Sequence, residues 1–231
     1  MARKQRTWVR DIVEILLIAL VLYVIIWSAL QTVRVDGFSM QNSLQNGDLL
    51  LASKISYKLG PPQRADIVVL IPPIDPSKDF IKRIIAVPGD VIEIDADNGT
   101  TPAKVLIKPG GSGDFQVLSE PYLPEPMLDQ SSCCDSDGKQ GTATPTPVTV
   151  PPDMYFVMGD NRNHSEDGRV FGFVARDKII AKAFLRVWPF FHFGLGTGST
   201  LVPALGAALP IWWLPRRLRR RRALRHGRLA D

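Results

Sequence analysis

Three short segments of the sequence carry residue types that could build a hydrolytic site. The first, 35–40, has the sequence VDGFSM and places Ser39 in a glycine-containing turn. The second, 80–90, has the sequence FIKRIIAVPGD and sets Lys82 among apolar residues. The third, 159–169, is GDNRNHSEDGR, in which acidic, basic and hydroxyl side chains are crowded together. Singly, each has a simpler explanation: a loop serine, an edge-strand charge that opposes aggregation, and a polar turn around a buried ion pair.

Together these residues favour a serine nucleophile that is activated by a lysine. Ser39 is not part of a G-x-S-x-G nucleophile elbow, because Gln41 occupies the position of the last glycine. A Ser-His-Asp triad needs a histidine, and of the three histidines only His164 lies within these segments. A neutral lysine can replace the histidine as base. The apolar neighbours of Lys82 are the surroundings that such a base requires, since burial lowers the pKa of a lysine.

The N-terminal part of the chain predicts a membrane anchor. Residues 15–30 contain no charged side chain, and flanking apolar residues extend the run to about 19, close to the roughly 20 that span a bilayer. Trp8 and Trp27 lie near its ends, as interfacial aromatic residues do. A cleaved signal peptide is the alternative, but its apolar core would be shorter and end in a small-x-small site. We therefore predict a retained transmembrane anchor over residues 11–31.

The net charge of +5 is unevenly distributed. Residues 1–30 have a net charge of +2, residues 31–214 of −4, and residues 215–231 of +7. Basic residues that flank apolar segments are typical of cytoplasmic membrane flanks, so residues 1–10 are predicted to be a cytoplasmic N-terminus. We expect no nucleic acid partner, and the alternative is an unspecific interaction of the arginine-rich tail. Two cysteines and three histidines do not make a zinc module, and neither metal nor cofactor is expected.

Residues 32–189 predict a mainly β, extracytoplasmic catalytic domain, with no internal repeat. Short β-type runs are separated by turn residues. Residues 96–150 are rich in Gly, Pro, Ser, Thr and Asp, which predicts a variable insertion of loops and hairpins. Its adjacent cysteines, Cys133 and Cys134, are expected to be solvent-side thiols, because standard disulfide geometry separates the two Cα atoms beyond the spacing of peptide neighbours. The predicted strands are Asp66–Ile71, Phe80–Val87, Val91–Asp95, Val105–Lys108, Tyr155–Met158 and Lys178–Val187.

A second apolar segment, 190–214, precedes the basic tail 215–231. A second membrane span here would return the tail to the cytoplasm, in accord with the charge rule. Its strongly apolar part, 201–214, is short for a span, so a segment that lies against the membrane surface is the other possibility.

The three segments together resemble the bacterial type I signal peptidases, membrane-anchored Ser-Lys proteases of the S26 family that remove signal peptides. The resemblance covers about residues 10–189, with the segments in the right order. Further matching segments are Asn46–Asp48, Glu120–Leu123, Val150–Pro152 and Tyr155–Asn161.

The resemblance implies that Ser39 is the nucleophile and Lys82 the general base. Ser165 corresponds to a hydroxyl that hydrogen-bonds to the lysine amine and orients it. Asp167 and Arg169 correspond to an ion pair that holds the active-site loop. Asp160 would lie beside that pair, and these three residues are expected to be structural.

The resemblance also assigns the surroundings of the nucleophile. Phe38 and Met40 would wall the substrate pocket. The oxyanion hole would use the backbone N–H of Ser39, and Gly37 stands where some members carry a further serine hydroxyl, so only backbone donors serve here. The sequence departs from the usual pattern at other positions, but none of these removes a proposed catalytic side chain. The departures are Asn42, Ala86 and Gly168.

The implied activity is endopeptidase cleavage of exported preproteins after an Ala-x-Ala-like site, by a monomer in the plasma membrane. One alternative is a Ser-Lys autopeptidase of the SOS-repressor type, which shares the core fold but would carry a DNA-binding N-terminal domain. Another is a membrane-anchored β domain that binds exported proteins without cleaving them. The apolar N-terminus argues against the first alternative, and the presence of both Ser39 and Lys82 argues against the second.

Overall fold

A computed structural model describes residues 2–41, 43–96, 102–123, 125–128, 132–142 and 146–189. The predictions for the second apolar segment and the basic tail fall outside these residues, as does Asn42.

The N-terminal apolar segment forms one long helix, α1, over Ala2–Ala29. Its part from Trp8 to Ala29 has a mean hydropathy of 2.6, is 22 residues long and is exposed up to Ser28, so it could cross a membrane. A helix suits that environment because it satisfies its backbone hydrogen bonds internally. The helix ends two residues before the end of the predicted anchor, because the chain passes directly into a strand. The N–H of Lys54 donates to the carbonyl of Ala29 at 2.9 Å and ties down this junction.

The rest of the described chain is mainly β, as predicted. Two short helices accompany the strands, α2 over Ser56–Leu59 and α3 over Gly168–Phe171. The strands are β1 Leu30–Arg34, β2 Leu49–Ser53, β3 Ile67–Leu70, β4 Phe80–Ala86, β5 Val91–Asp95, β6 Lys104–Lys108, β7 Gln116–Val117, β8 Ser132–Cys133, β9 Gln140–Thr142, β10 Val148–Thr149, β11 Met154–Met158, β12 Val174–Ala175 and β13 Ile179–Trp188.

The first sheet has the strand order β1-β2-β13-β3-β4-β11-β12, and its pairs are antiparallel. Strand β4 pairs with β3 along residues 80–83, with Lys82 opposite Val68. On its other side β4 pairs with β11 only from Arg83 onward. Among the described strands, residues 80–82 therefore keep one free edge, and β1 forms the outer edge of the same sheet.

The second sheet has the order β7-β6-β5-β8-β9, and β10 also pairs with β5. Apolar side chains of both sheets form one core, and alternation along β5 buries Ile92 and Ile94 there. Full burial of an aliphatic side chain contributes roughly 1.5–3 kcal/mol. The core thereby fixes β4, which forms most of the second segment, and β11, which leads into the third. From these two strands it includes Ile85, Ala86, Phe156 and Met158.

The expectation for the two cysteines is wrong. Cys133 and Cys134 are both fully buried in the core between the sheets, and a disulfide joins them. Their peptide bond is cis. The sulfur atoms pack with aliphatic side chains of β5 and β6, which suits their low polarity.

Candidate active site

An open cleft with a volume of about 840 Å³ brings the three segments together. One wall is the chain from Gln31 to Gln41, which contains β1 and Ser39. The other wall is the first part of β4 with the residue before it, Asp79–Lys82. The third segment contributes Asn161, His164 and Glu166. Ser39 and Lys82 therefore line the same cleft.

Ser39 lies in a turn, residues 38–41, that comes shortly after β1. Gln41 donates its N–H to the carbonyl of Phe38 at 3.0 Å and closes the turn. Met40 anchors it, because its side chain is only 2% exposed and packs in a small core with Val35 and Leu44. Phe38 is 61% exposed at the cleft, so these two predicted pocket residues have opposite surroundings.

Gly37 gives this turn its shape. Its φ of 112° is a conformation that side-chain-bearing residues rarely adopt. Its N–H donates to Oδ1 of Asn46 at 3.1 Å, so this donor is already engaged.

Asn161 braces the nucleophile turn, a role for which the sequence analysis made no prediction. Its N–H donates to the carbonyl of Ser39 at 2.9 Å, and its side-chain amide donates to the carbonyl of Phe38 at 3.1 Å. The neighbouring N–H of Asp160 contacts Sδ of Met40 at 3.4 Å. An amide three residues after the buried end of β11 was the available signal, since a buried amide needs hydrogen-bond partners.

Lys82 projects from β4 into a largely apolar environment and is 2% exposed. Its Nζ donates to Oγ of Ser165 at 3.1 Å and lies 5.2 Å from the centre of the Phe80 ring. Burial lowers the pKa of Lys82 to about 8, and the charge of Arg169 acts in the same direction. Nearby carboxylates oppose this shift, with Asp167 first among them. About a tenth of the amine is therefore neutral at pH 7, far more than for an ordinary lysine, and can accept a proton.

Asp167 and Arg169 form a buried ion pair behind Ser165. Nε and Nη2 of Arg169 both donate to the carboxylate of Asp167, at 2.9 Å each. Asp167 also caps α3 and accepts the N–H of Gly159 at 3.0 Å. Burial by itself raises the pKa of Asp167, but these hydrogen bonds and the charge of Arg169 outweigh it and hold that pKa below its usual value.

Asp160 was expected beside the pair of Asp167 and Arg169. It forms its own ion pair with Arg83 instead. Its two carboxylate oxygens accept from Nε and Nη2 of Arg83, at 2.7 and 2.6 Å. Both side chains are buried. Because successive residues of a strand face opposite sides, Arg83 points away from Lys82, and this pair joins β4 to the loop after β11.

Gly159 packs closely against both Ser165 and the backbone of Ser39. A β-carbon at this position would lie 2.2 Å from Oγ of Ser165 and 2.5 Å from the carbonyl oxygen of Ser39. Only a glycine lets the nucleophile turn and the Ser165 hydroxyl approach each other this closely.

Comparison with known proteins identifies the family to which the sequence is similar. Residues 6–188 match the family described as signal peptidase, peptidase S26. A probable signal peptidase I-1 from Synechocystis sp. is 33% identical over 205 residues, which cover 85% of this chain and 91% of that protein. Signal peptidase I from Bacillus caldolyticus is 36% identical over 162 residues, which cover 69% of this chain and 80% of that protein. A crystal structure of a signal peptidase I from Enterococcus faecalis is 27% identical, covers 52% of this chain and 95% of that one, and has a TM-score of 0.36.

Proposed function

The chain belongs to the signal peptidase family, peptidase S26, and from that premise we propose that it cleaves signal peptides with Ser39 as nucleophile and Lys82 as general base. As a member of this family it is a hydrolase whose substrates are preproteins that carry signal peptides. The observation that carries the catalytic assignment is the position of Lys82, which is buried, hydrogen-bonded to Ser165 and in the same cleft as Ser39.

The reaction has two halves. The neutral amine of Lys82 takes the hydroxyl proton of Ser39 as Oγ attacks the scissile carbonyl. The tetrahedral intermediate collapses, the proton passes to the leaving amine, and the mature protein departs. Lys82 then takes a proton from water, which attacks the acyl ester, and returns it to Oγ as the signal peptide leaves. The N–H of Ser39 is the proposed oxyanion donor.

Ser165 has a supporting role in this proposal. Its hydroxyl fixes the direction of the Lys82 amine, which must lie within hydrogen-bond reach of the proton that it removes. The pair of Asp167 and Arg169 holds the loop on which Ser165 lies.

The substrate is proposed to bind as an added strand. The edge of β1 and the free edge of residues 80–82 face the same cleft, and both offer backbone donors and acceptors to an extended peptide. Side chains of such a peptide alternate in direction, so every second one would enter pockets near Phe38 and Met40. Small pockets here would select the Ala-x-Ala pattern of secretory signals.

The apolar helix supports a membrane-anchored enzyme. We propose that residues 11–31 span the bilayer, that the first ten residues are cytoplasmic, and that residues 32–189 act as a monomer on the other side. Ser39 then lies at most about 30 Å of extended chain from the end of the span, close to where a translocated signal peptide emerges.

Cleavage of a preprotein by the purified protein in detergent tests the catalytic assignment. Ser39→Ala and Lys82→Ala should each abolish cleavage while the thermal unfolding transition is kept. Lys78→Ala is the matched control, since this lysine is exposed and pairs only with Asp75 among the described residues. Normal activity in Lys82→Ala would rule out the Ser-Lys mechanism.

Ser165→Ala should lose most of the activity but retain a measurable rate, because the amine of Lys82 remains and only its orientation is lost. An unchanged rate would remove Ser165 from the site.

A further inference from the structure

We propose that Glu120 is a positioning residue for catalysis and that it acts through Arg162 and Gly159 on the pair of Ser165 and Lys82. This inference rests on the proposed function. Glu120 follows β7 and lies outside the three segments from which the site is built.

The first step is the pairing of Glu120 with Arg162. The Oε2 atom of Glu120 accepts from Nη1 of Arg162 at 2.9 Å, and Oε1 accepts from Nη2. Their side chains are 7% and 1% exposed. The hydroxyl of Tyr122 donates to Oε1 at 2.6 Å, so the carboxylate is held on both sides. A buried bidentate pair of this kind fixes the plane of the guanidinium as well as its distance.

Arg162 contacts both ends of the loop 159–169, which is called the catalytic loop below. Its Nε donates to the carbonyl of Gly159 at 3.0 Å. Its own carbonyl accepts from Nη2 of Arg169 at 2.6 Å. Gly159 in turn packs against Ser165, as the short distances at its Cβ position show. A shift of Arg162 therefore moves Gly159 and, with it, the hydroxyl that orients Lys82.

Loss of the Glu120 carboxylate would leave Arg162 without its partner. A buried guanidinium that loses its carboxylate is strongly destabilised where it stands. Arg162 borders a second cavity, with a volume of about 510 Å³, that also reaches Ser165. The side chain thus has room to turn toward solvent and to release the carbonyl of Gly159.

A double-mutant cycle on the full chain in detergent tests this. Glu120→Gln should lower kcat about tenfold, with KM within about twofold, because Glu120 is not among the residues that line the proposed peptide cleft. In a Ser165→Ala background the same change should lower kcat less than about twofold, since the group through which it acts is gone. An equal loss in both backgrounds, as a general structural defect would give, overturns the proposal, and so does an unchanged kcat in the single variant.

Glu125→Gln is the matched control. Its carboxylate also contacts the catalytic loop, at Asn163 at 2.8 Å, but this contact is exposed, and kcat should stay at the wild-type value. If Glu120→Gln does not fold, Tyr122→Phe replaces it in the cycle. Tyr122→Phe removes only the hydroxyl that holds Glu120. It should lower kcat less than Glu120→Gln does, and this loss should disappear in the Ser165→Ala background.

Hydrogen exchange gives a second readout that needs no activity. The N–H of Gly159 donates to the carboxylate of Asp167 in the wild type. It should exchange faster in Glu120→Gln than in Glu125→Gln, and equal exchange would overturn the proposal. If the wild type shows no cleavage that depends on Ser39, the proposed function fails, and the exchange result still decides whether Glu120 positions the loop.

Discussion

Gly159→Ala is the substitution that most directly tests how tightly the candidate site is packed. The new methyl group would lie 2.2 Å from Oγ of Ser165 and 2.5 Å from the carbonyl oxygen of Ser39, against ordinary contacts of 3.4–4 Å. Rotation of the Ser165 hydroxyl does not remove the conflict, because Cβ of Ser165 is itself only 2.6 Å away. Either Ser165 or the nucleophile turn must therefore move by roughly 1 Å.

A displacement of that size at reacting groups lowers the rate about 100-fold. This corresponds to about 3 kcal/mol of lost transition-state stabilisation. Overpacking of the same site should reduce the free energy of unfolding by about 1–3 kcal/mol, which leaves the protein folded at room temperature. The assay is the kcat for preprotein cleavage, with thermal unfolding followed on the same samples.

Gly60→Ala is the matched control. A β-carbon there meets no atom within 4 Å, and the backbone is extended with φ −167°, so both kcat and the unfolding transition should be unchanged. A Gly159→Ala variant that keeps kcat within about twofold of the wild type would refute the view that Gly159 sets the distance between Ser39 and Ser165.

Three further predictions concern buried charges. The kcat/KM for cleavage should rise about tenfold per pH unit below pH 8 and level off above it, because the pKa of Lys82 is about 8 and its neutral form is the base. A kcat/KM that stays constant from pH 6 to 9 would contradict this prediction. Lys82→Met should be inactive, but at pH 7 its free energy of unfolding in urea should exceed that of the wild type by up to about 3 kcal/mol. This gain in stability should vanish as the pH rises from 8 towards 10.5, the pKa of lysine in the unfolded state. A variant less stable than the wild type at pH 7 would show that burial does not penalise the charged amine. Asp160→Asn should lower the free energy of unfolding by about 3 kcal/mol, because it leaves Arg83 buried without a counter-charge. Asp75→Asn, in the exposed pair with Lys78, should leave the urea midpoint unchanged. Equal midpoints in the two variants would contradict this prediction.

The strands that sequence patterns predicted are those with clear turn residues at both ends. Strand β5 was predicted with its observed bounds, because Pro-Gly-Asp precedes it and its burial alternates. Strand β1 was not predicted, since the predicted anchor overlaps its first two residues and only Leu30 and Val33 of the strand are apolar. Strand β2 is five residues long, LLLAS, and a short apolar run of this kind carries no periodicity that identifies a strand.

The candidate site divides in a similar way. Ser39 and Lys82, which line the cleft, could be placed in the candidate site because each belongs to a local motif. The partner of Arg83 could not, because it depends on the register between β4 and β11, which brings Asp160 close from 77 positions away. The contact between Glu120 and Arg162 depends on the path of a loop, and loop paths follow from packing more than from composition.

The junction between α1 and β1 has a mechanical consequence. No loop separates the two elements, and the N–H of Lys54 donates to the carbonyl of Ala29 at the joint, so a swivel of the helix would break this hydrogen bond. A helix that spans a thinner bilayer increases its tilt. Because β1 is also a wall of the cleft, the whole cleft must lean with the helix. Bilayer thickness would then set the angle at which an emerging peptide meets Ser39, and the same protein should align its substrates differently in membranes of different lipid composition.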